Sequence, residues 1–335
     1  MTLTIYDIAK LAGVSTATVS RVLNGGKSVS EETRQAVMHV IRQNDYQPSA
    51  IARGLSLKTM NMIGILAADC QSVFLSMAIH HLENFLRDKS YGTLLCCTGY
   101  DYQQKKNRVS FLLSKNVDAI ILVGSGYVYK EDAMNDYIRE AANKVPVILI
   151  NAFLQHPNIY SIACDDRRAV SEAAEWLYRT GSENVLFFYN QETYSGICKL
   201  AGFHETARRH GKEWQNSSLK IPNEVQNVSA IVDFLSARYP DAFPFDAIIT
   251  ADDNLAVGAL KFAKLRGLKV PEQLRVIGFN NSSIAQICEP ELTSIDNRLE
   301  EMCRLCVDML EKVLESGENV HNRILSAKLV HRGTA

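Results

Sequence analysis

The 335-residue sequence has no long apolar segment and no secretion signal. The apolar runs 62–68 and 119–124 have the length of strands, far below the roughly 20 residues that cross a membrane. Residues 1–10 contain Asp7 and alternate polar with apolar residues, whereas a signal peptide runs from basic to apolar to small residues. We therefore expect a soluble, cytoplasmic protein that does not contact a membrane.

Cysteine is also sparse, with eight residues and no disulfide framework. In a chain without a secretion signal we expect these thiols to be reduced. Cys303 and Cys306 have CxxC spacing, but they lie in 299–314, where apolar residues recur at helical spacing. No second CxxC or histidine pair accompanies them, so a buried helix is favoured over a metal or redox site. We predict no metal and no cofactor.

Net charge is nearly absent, because 36 basic residues face 37 acidic ones. A protein that binds nucleic acid usually has a basic excess, so the total charge of −1 argues against that function. The distribution of charge reverses this argument. The first 60 residues carry a net +3 and the remaining 275 carry −4, which indicates a basic module attached to an acidic body.

Three short helices are predicted in the basic module. Thr4 followed by Asp7 forms a capping-box pattern at the start of the first helix. Gly13 ends that helix, Ser15 caps the second, and Ser30 caps the third. Two helices joined by a tight turn that contains glycine have the layout of a helix-turn-helix.

The second predicted helix carries the strongest functional signal. It opens with Val-Ser-Thr-Ala-Thr-Val-Ser-Arg at 14–21, and such small and hydroxylated residues can approach phosphates and base edges closely. Arg21 lies one and a half turns into the helix, where its guanidinium can reach guanine O6 and N7. An ordinary surface helix is the alternative, but the preceding helix and the basic excess favour DNA binding.

Residues 47–55 form a second candidate DNA-binding segment. Pro48 and Ser49 can start a helix, but the segment is short and contains Gly54. It is therefore either a plain linker or a hinge that folds on DNA, with Leu55 as an apolar wedge in the minor groove.

From residue 61 onward, apolar runs of strand length alternate with amphipathic helical segments. This alternation predicts parallel sheets covered by helices on both faces. The predicted strands are Met62–Ala68, Thr93–Cys97, Ala119–Val123, Pro146–Ile150, Val185–Tyr189, Ala247–Thr250 and Val276–Phe279. About 275 residues exceed one sheet of ordinary size, so two α/β lobes are expected.

Motifs of common enzyme classes are incomplete. Gly26-Lys27-Ser28 lacks the first glycine of a phosphate-binding loop, and Gly124-Ser125-Gly126 lacks the third glycine of a dinucleotide site. No Gly-x-Ser-x-Gly elbow is present in the sequence. The pairs Asp165-Asp166 and Asp252-Asp253 follow predicted strands but lack a nucleophile, so we interpret them as binding residues and predict no catalytic residue.

These segments together resemble the LacI/GalR family of bacterial transcription regulators. The resemblance is specific within Thr4–Leu55. Three segments carry it: residues 4–24, Val-Ser-Glu-Glu-Thr-Arg at 29–34, and Pro-Ser-Ala-Ile-Ala-Arg-Gly-Leu at 48–55. It continues more loosely through Ala251–Leu260, Val276–Phe279 and Leu292–Ile295. It implies a small all-α helix-turn-helix headpiece followed by a two-lobed α/β domain like a periplasmic binding protein.

The resemblance also implies domain boundaries and an assembly. The headpiece would be 1–46, the hinge 47–60, and the effector-binding and dimerisation domain 61–335. One lobe would comprise 61–160 plus 291–320, and the other 161–290 plus 321–335. The chain ends at 335 without the extra helix that makes some relatives tetramers, so we expect a homodimer that reads a near-palindromic operator.

Individual residue roles follow from the resemblance. The implied DNA-binding residues are Thr4, Tyr6, Ser15, Thr16, Ala17, Thr18, Ser20, Arg21, Asn24, Ser49, Ala52 and Leu55. The implied effector-binding residues are Ser72, Phe74, Asp165, Ser195, Lys199, Asp252 and Asn280. Lys199 stands where relatives commonly have arginine, Asp252 where asparagine is usual, and Asn280 where aspartate is usual. This set suits a neutral polyol or sugar better than a phosphate.

We therefore expect a sequence-specific transcription regulator, a repressor without enzymatic activity, controlled by a small sugar-like effector bound between two lobes. The alternatives are an enzyme that acts on sugars and a sugar-binding protein, each with an appended helical module. The sequence leaves open which effector binds, whether it induces or corepresses, and which operator and genes are controlled.

Overall fold

Three helices form the N-terminal part of the chain, and their caps set their boundaries. The helices are α1 (Ile5–Ala12), α2 (Thr16–Leu23) and α3 (Glu31–Gln43). The Thr4 backbone N–H donates to Asp7 Oδ2 at 2.8 Å, as the capping-box pattern predicts. Gly13 ends α1 with φ at 65°, a left-handed conformation in which glycine has no steric cost. The predicted helix-turn-helix layout is confirmed.

The computed structural model describes residues 3–23, 28–46, 59–212, 217–222, 227–316 and 320–335. The chain divides into two compact units, Met1–Met62 and Ile63–Ala335. Most of the predicted hinge at 47–60 lies outside the described residues, so its helix stays a prediction. The first unit has a small core of its own, which consists of Ile8, Ala9, Val19, Val22, Val37 and Ile41.

Strands and helices alternate through the second unit, as the apolar runs predict. Its first half contains β1 (Met62–Ala67), α4 (Val73–Asp88), β2 (Gly92–Cys97), α5 (Tyr102–Ser114), β3 (Ala119–Val123), α6 (Asp136–Ala142), β4 (Val147–Ile150) and β5 (Ile159–Cys164). There follow α7 (Asp166–Arg179), β6 (Val185–Tyr189), α8 (Tyr194–Arg209), β7 (Ser218–Lys220), α9 (Val228–Arg238), β8 (Ala247–Thr250), α10 (Asp253–Leu265), β9 (Arg275–Phe279), α11 (Ser283–Ile287), β10 (Thr293–Asp296), α12 (Leu299–Ser316), β11 (Arg323–Leu325) and β12 (Lys328–Val330).

These strands form two sheets, one for each lobe. The first sheet has the order β11-β5-β4-β3-β1-β2, and the second has the order β12-β10-β9-β8-β6-β7. β1, β3, β4, β5 and β11 pair in parallel in the first sheet. In the second sheet β12 is the antiparallel partner of β10. Because the other pairs of the second sheet, β6 to β10, are parallel, the carboxyl ends of the parallel strands in each lobe meet at one edge, where α/β folds bind ligands.

The chain passes between the lobes three times, at places that differ from the expected boundaries. β5 keeps the first lobe going to Cys164, whereas the expected border lay after residue 160. β10 belongs to the second sheet although 291–320 was assigned to the first lobe. β11 belongs to the first sheet although 321–335 was assigned to the second. β10, β11 and β12 have only three or four residues each, too few to show an alternating pattern.

Helix α12 covers the first sheet and explains the CxxC spacing. Cys303 and Cys306 are fully buried there and pack with Met302, Val307 and Leu310 in the core of the first lobe. The prediction of a buried helix is confirmed. Among the described residues, no helix is long and apolar enough to cross a membrane.

Close packing of α7 on α8 depends on a glycine. A Cβ added to Gly202 would lie 2.0 Å from the Arg167 carbonyl oxygen, a backbone atom that cannot turn aside. We expect Gly202→Ala to lower the free energy of unfolding by about 2–3 kcal/mol, because the two helices must separate. Urea unfolding measures this loss.

Gly126→Ala is the control for this prediction, because the added Cβ would have its nearest neighbour at 3.8 Å. Equal stability of the Gly202→Ala variant and the parent would contradict the tight helix contact.

Candidate functional site

The exposed face of α2 presents the predicted recognition residues. Val19 and Val22 are buried in the headpiece core. Ala17 and Arg21, four residues apart, are exposed and therefore share the outward face. Arg21 forms no ion pair with any described residue, so its guanidinium is available to a partner.

The other predicted DNA-binding residues differ in exposure. Thr4, Tyr6 and Ser15 are exposed, and Thr16, Thr18 and Ser20 are half-buried. Thr4 Oγ1 donates to Asp7 Oδ2 at 2.7 Å, so its hydroxyl proton is already used in the helix cap. Ser15 Oγ accepts from the Thr18 backbone N–H at 3.1 Å and caps α2. Four further predicted residues, Asn24, Ser49, Ala52 and Leu55, lie outside the described residues.

A cavity of about 550 Å³ lies between the two lobes at the carboxyl ends of their strands. Six of the seven predicted effector residues line it: Ser72, Phe74, Ser195, Lys199, Asp252 and Asn280. Asp165 does not line it. Its Oδ1 accepts from the Arg168 backbone N–H at 3.1 Å and caps α7, so its role as an effector-binding residue stays a prediction. Its neighbour Asp166 does not line the cavity either, but it is buried and accepts from Ser195, which does.

Lys199 is a buried cation at the base of the cavity. It is 6% exposed, and its Nζ donates to the Ala251 carbonyl oxygen at 2.8 Å. The same Nζ lies 3.5 Å from the centre of the Phe279 ring, where the face of the ring stabilises positive charge. Helix α8 and strand β9 thus hold the ammonium in one position.

Asp166 lies behind Ser195 and is 3% exposed. The Ser195 hydroxyl donates to Asp166 Oδ2. Burial raises the pKa of Asp166 because the carboxylate is withdrawn from water, and the charge of Lys199 opposes this shift. The sequence indicated that the pair Asp165-Asp166 follows a strand, but not which of the two carboxyl groups is buried. Asp165 caps α7, and Asp166 is the buried one.

Asp252 and Asn280 lie on neighbouring strand ends of the second lobe. Asp252 Oδ1 accepts from the Leu255 backbone N–H at 2.9 Å and caps α10, and Asn190 Nδ2 donates to Oδ2 at 3.3 Å. Burial raises the pKa of Asp252, and the hydrogen bond from Leu255 opposes the shift. Asn280 lines the cavity, and its Oδ1 accepts from Asn297 Nδ2 at 2.9 Å.

Lys105 also lines the cavity, and sequence reasoning missed it. It is 4% exposed, and its Nζ donates to the Gly126 carbonyl at 2.7 Å and to Tyr129 Oη at 2.8 Å. Burial lowers the pKa of Lys105 to about 8. Its position on α5 gives no sign of this role, because its partners come from the loop after β3.

A hydrogen bond between residues of the two lobes lies beside the cavity. Ser125 Oγ, from the loop after β3, donates to Thr193 Oγ1 at 2.8 Å, and Thr193 is the N-cap of α8. The cavity is therefore bounded by both lobes and contains two ammonium groups, several hydroxyl and amide groups, and the aromatic rings of Phe74, Tyr100 and Tyr127.

Comparison with known proteins identifies the family. The model described as "Bacterial regulatory proteins, lacI family" matches residues 4–49, and the model of a periplasmic binding protein-like domain matches residues 174–335. An HTH-type transcriptional regulator of Lachnoclostridium phytofermentans is 41% identical over 331 residues, which cover 98% of each chain. The chain belongs to the lacI family.

Solved structures agree with the fold of this lacI-family regulator. The lac repressor dimer bound to operator and the anti-inducer ONPF has a TM-score of 0.88 at 23% identity, covering 100% of this chain and 99% of that one. The complex of the transcriptional regulator CelR with cellobiose has a TM-score of 0.70 at 22% identity, covering 99% and 100%. The predicted fold, a helical headpiece with a two-lobed binding domain, is confirmed.

The raised pKa of Asp166 predicts how stability changes with pH. A carboxyl whose pKa is higher in the folded state than in the unfolded state destabilises the fold as it ionises, so stability falls as pH rises through that interval. Asp166→Asn keeps an oxygen that can accept from Ser195 but does not ionise. We expect the stability of the variant relative to the parent to increase with pH above about 4, the ordinary value for aspartate.

Urea unfolding of both proteins across the acidic range measures this difference. Asp233→Asn, on α9, is the control. If the free energies of unfolding of the Asp166→Asn variant and the parent differ by the same amount at every pH, the pKa of Asp166 is not raised.

Proposed function

We propose that this lacI-family regulator is a dimeric repressor whose affinity for a near-palindromic operator is set by a neutral sugar or polyol in the interlobe cavity. The observation that carries the proposal is the convergence of six predicted side chains from both lobes on one cavity. A ligand that contacts both lobes binds one lobe arrangement better than another. It therefore shifts the population of arrangements by its difference in affinity.

The chemistry of the cavity supports a sugar as the ligand. Lys199, the amide group of Asn280 and the carboxyl of Asp252 provide donors and acceptors for hydroxyl groups. Phe74 and Tyr127 provide the apolar surface that small-molecule sites combine with such groups. The carboxylate of Asp252, when ionised, opposes a phosphate at the second-lobe end of the cavity. The cellobiose complex of CelR supports the same class of ligand.

The headpiece supports direct readout of the operator. The outward face of α2 carries Ala17, whose methyl group can contact thymine, and Arg21, whose guanidinium can bind guanine. The relative solved with its operator supports this mode of binding. The hinge proposed at 47–60 would fold on DNA and insert Leu55 into the minor groove. The arrangement of the lobes would determine whether the hinge can fold, and therefore how tightly the headpiece binds DNA.

The cavity supports binding rather than catalysis. Asp252 caps α10, and the Ser195 hydroxyl donates to Asp166 rather than to a histidine that could activate it. We therefore propose that the bound sugar is released unchanged. Conversion of a bound sugar by the purified protein would favour the alternative of a sugar-acting enzyme.

Arg21→Ala tests the recognition helix. We expect specific operator affinity to fall by about 1–3 kcal/mol and the preference at one base pair of each half-site to relax, because the bidentate contact to guanine is lost. Selection of preferred sites from a random DNA pool measures both effects.

Lys10→Ala removes the same charge from an exposed position on α1 and is the matched control, expected to leave the preferred sequence unchanged. An unchanged preferred sequence for Arg21→Ala would rule out Arg21 as a base-reading residue.

Lys199→Met tests the cavity. A thermal-shift screen over neutral sugars, polyols and sugar phosphates first identifies a ligand that stabilises the parent protein. We expect Lys199→Met to weaken that ligand at least tenfold, about 1.4 kcal/mol, since a buried ammonium donor disappears from the site.

Lys261→Met, on the exposed face of α10, is the control and is expected to bind as the parent does. Calorimetry measures the affinities, and circular dichroism verifies that both variants fold. Equal affinity of Lys199→Met and the parent would exclude Lys199 from the site.

A further inference from the structure

Two exposed thiols touch each other in the first lobe. The Sγ atoms of Cys70 and Cys97 are 3.2 Å apart. Both residues are exposed, whereas Cys96, Cys164, Cys303 and Cys306 are buried and Cys198 and Cys288 are half-buried. Among the described residues, this is the one contact between two cysteine sulfur atoms that the structure shows.

The fold holds these thiols together through backbone contacts on both sides. Cys97 is the last residue of β2, and Cys70 lies in the loop between β1 and α4. The Thr98 and Gly99 N–H groups donate to the carbonyls of Ala67 and Ala68 at 3.0 and 2.8 Å. The contact is therefore a consequence of strand pairing. Because the pairing holds the two thiols side by side, each has a high effective concentration at the other.

The loop of Cys70 is fixed by a further contact from the loop that follows Cys97. Tyr100 Oη donates to Asp69 Oδ2 at 2.6 Å. Asp69 Oδ1 in turn accepts from the backbone N–H groups of Gln71 and Ser72 at 2.9 and 2.8 Å. Gln71, Ser72 and Tyr100 all line the interlobe cavity, so the thiol pair joins two loops that form its wall.

We propose that Cys70 and Cys97 are a reversible disulfide site, oxidised by low-molecular-weight disulfides and reopened by thiols. The proposal does not depend on the function proposed above. It makes this pair an exception to the expectation that all eight cysteines are reduced thiols.

The exchange proceeds in two balanced steps. Cys70 gives its proton to solvent, and its thiolate attacks one sulfur of the reagent, forming a mixed disulfide and releasing one thiolate. Cys97 then loses its proton and attacks the Cys70 sulfur, forming the internal bond and releasing the second thiolate. The two cysteines supply two electrons, and the two released thiolates take up the two protons.

The order of attack follows from the environment of Cys97. Partial desolvation and the hydrogen bond to Cys70 raise the pKa of the Cys97 thiol to about 11, so few Cys97 thiolates exist at neutral pH. Cys70 therefore enters first, and Cys97 resolves the mixed disulfide from within contact distance.

The experiment uses the full reduced chain treated with oxidised glutathione. We expect the free thiol count to fall by two, and peptide mapping to join the peptide of Cys70 to that of Cys97. The thermal unfolding midpoint should rise by several degrees, because the bond closes the loop 70–97 in the unfolded chain, and dithiothreitol should reverse the change.

Cysteine variants separate the two positions. Cys97→Ser should accumulate a mixed disulfide at Cys70, because the resolving thiol is missing. Cys96→Ser is the matched control and should oxidise as the parent does, since alternate residues of a strand face opposite sides and Cys96 is buried.

Three results would overturn the proposal. These are retention of both thiols under the oxidising treatment, a disulfide between chains on a non-reducing gel, and a glutathione adduct on Cys70 that persists in the parent protein. Oxidation of Cys97→Ser to an internal disulfide through Cys96 would overturn it as well.

Discussion

The chain passes three times between the two sheets, and the rest of the binding domain depends on this constraint. β5, β10 and β11 each end where the chain leaves a lobe, and the loops that line the cavity follow β1 and β3 of the first sheet and β6, β8 and β9 of the second. A ligand in this cavity contacts both bodies at once, and the Ser125–Thr193 hydrogen bond already joins them at the rim. Ligand affinity and lobe arrangement are therefore coupled through geometry.

The N-terminal unit and the binding domain differ in net charge. The total charge of −1 consists of +3 on the first 60 residues and −4 on the rest, so attraction to phosphates is confined to the headpiece. Inside the cavity the charges serve another purpose. Lys105 and Lys199 each donate to a backbone carbonyl, so the site offers donors that are held in fixed positions.

The sequence was sufficient for the longer elements and insufficient for contacts between distant segments. The periodicity of α12 was long enough to predict that Cys303 and Cys306 are buried. β10 to β12 are too short to show a period, so the expected lobe borders were wrong. Backbone angles at a strand end decide that Asp165 caps α7 and that Asp166 is buried against Ser195. The pairing of Cys70 with Cys97 and the cavity position of Lys105 arise only when separate loops meet in the fold.

In the proposed function, the cavity ligand and operator DNA bind to one protein, and each changes the affinity for the other. The most direct measurement is operator affinity with and without a saturating cavity ligand, together with ligand affinity with and without operator, at one salt concentration. We expect each partner to change the affinity for the other by the same factor, at least about fivefold. Operator affinity that is identical with and without a ligand bound in the cavity would contradict it.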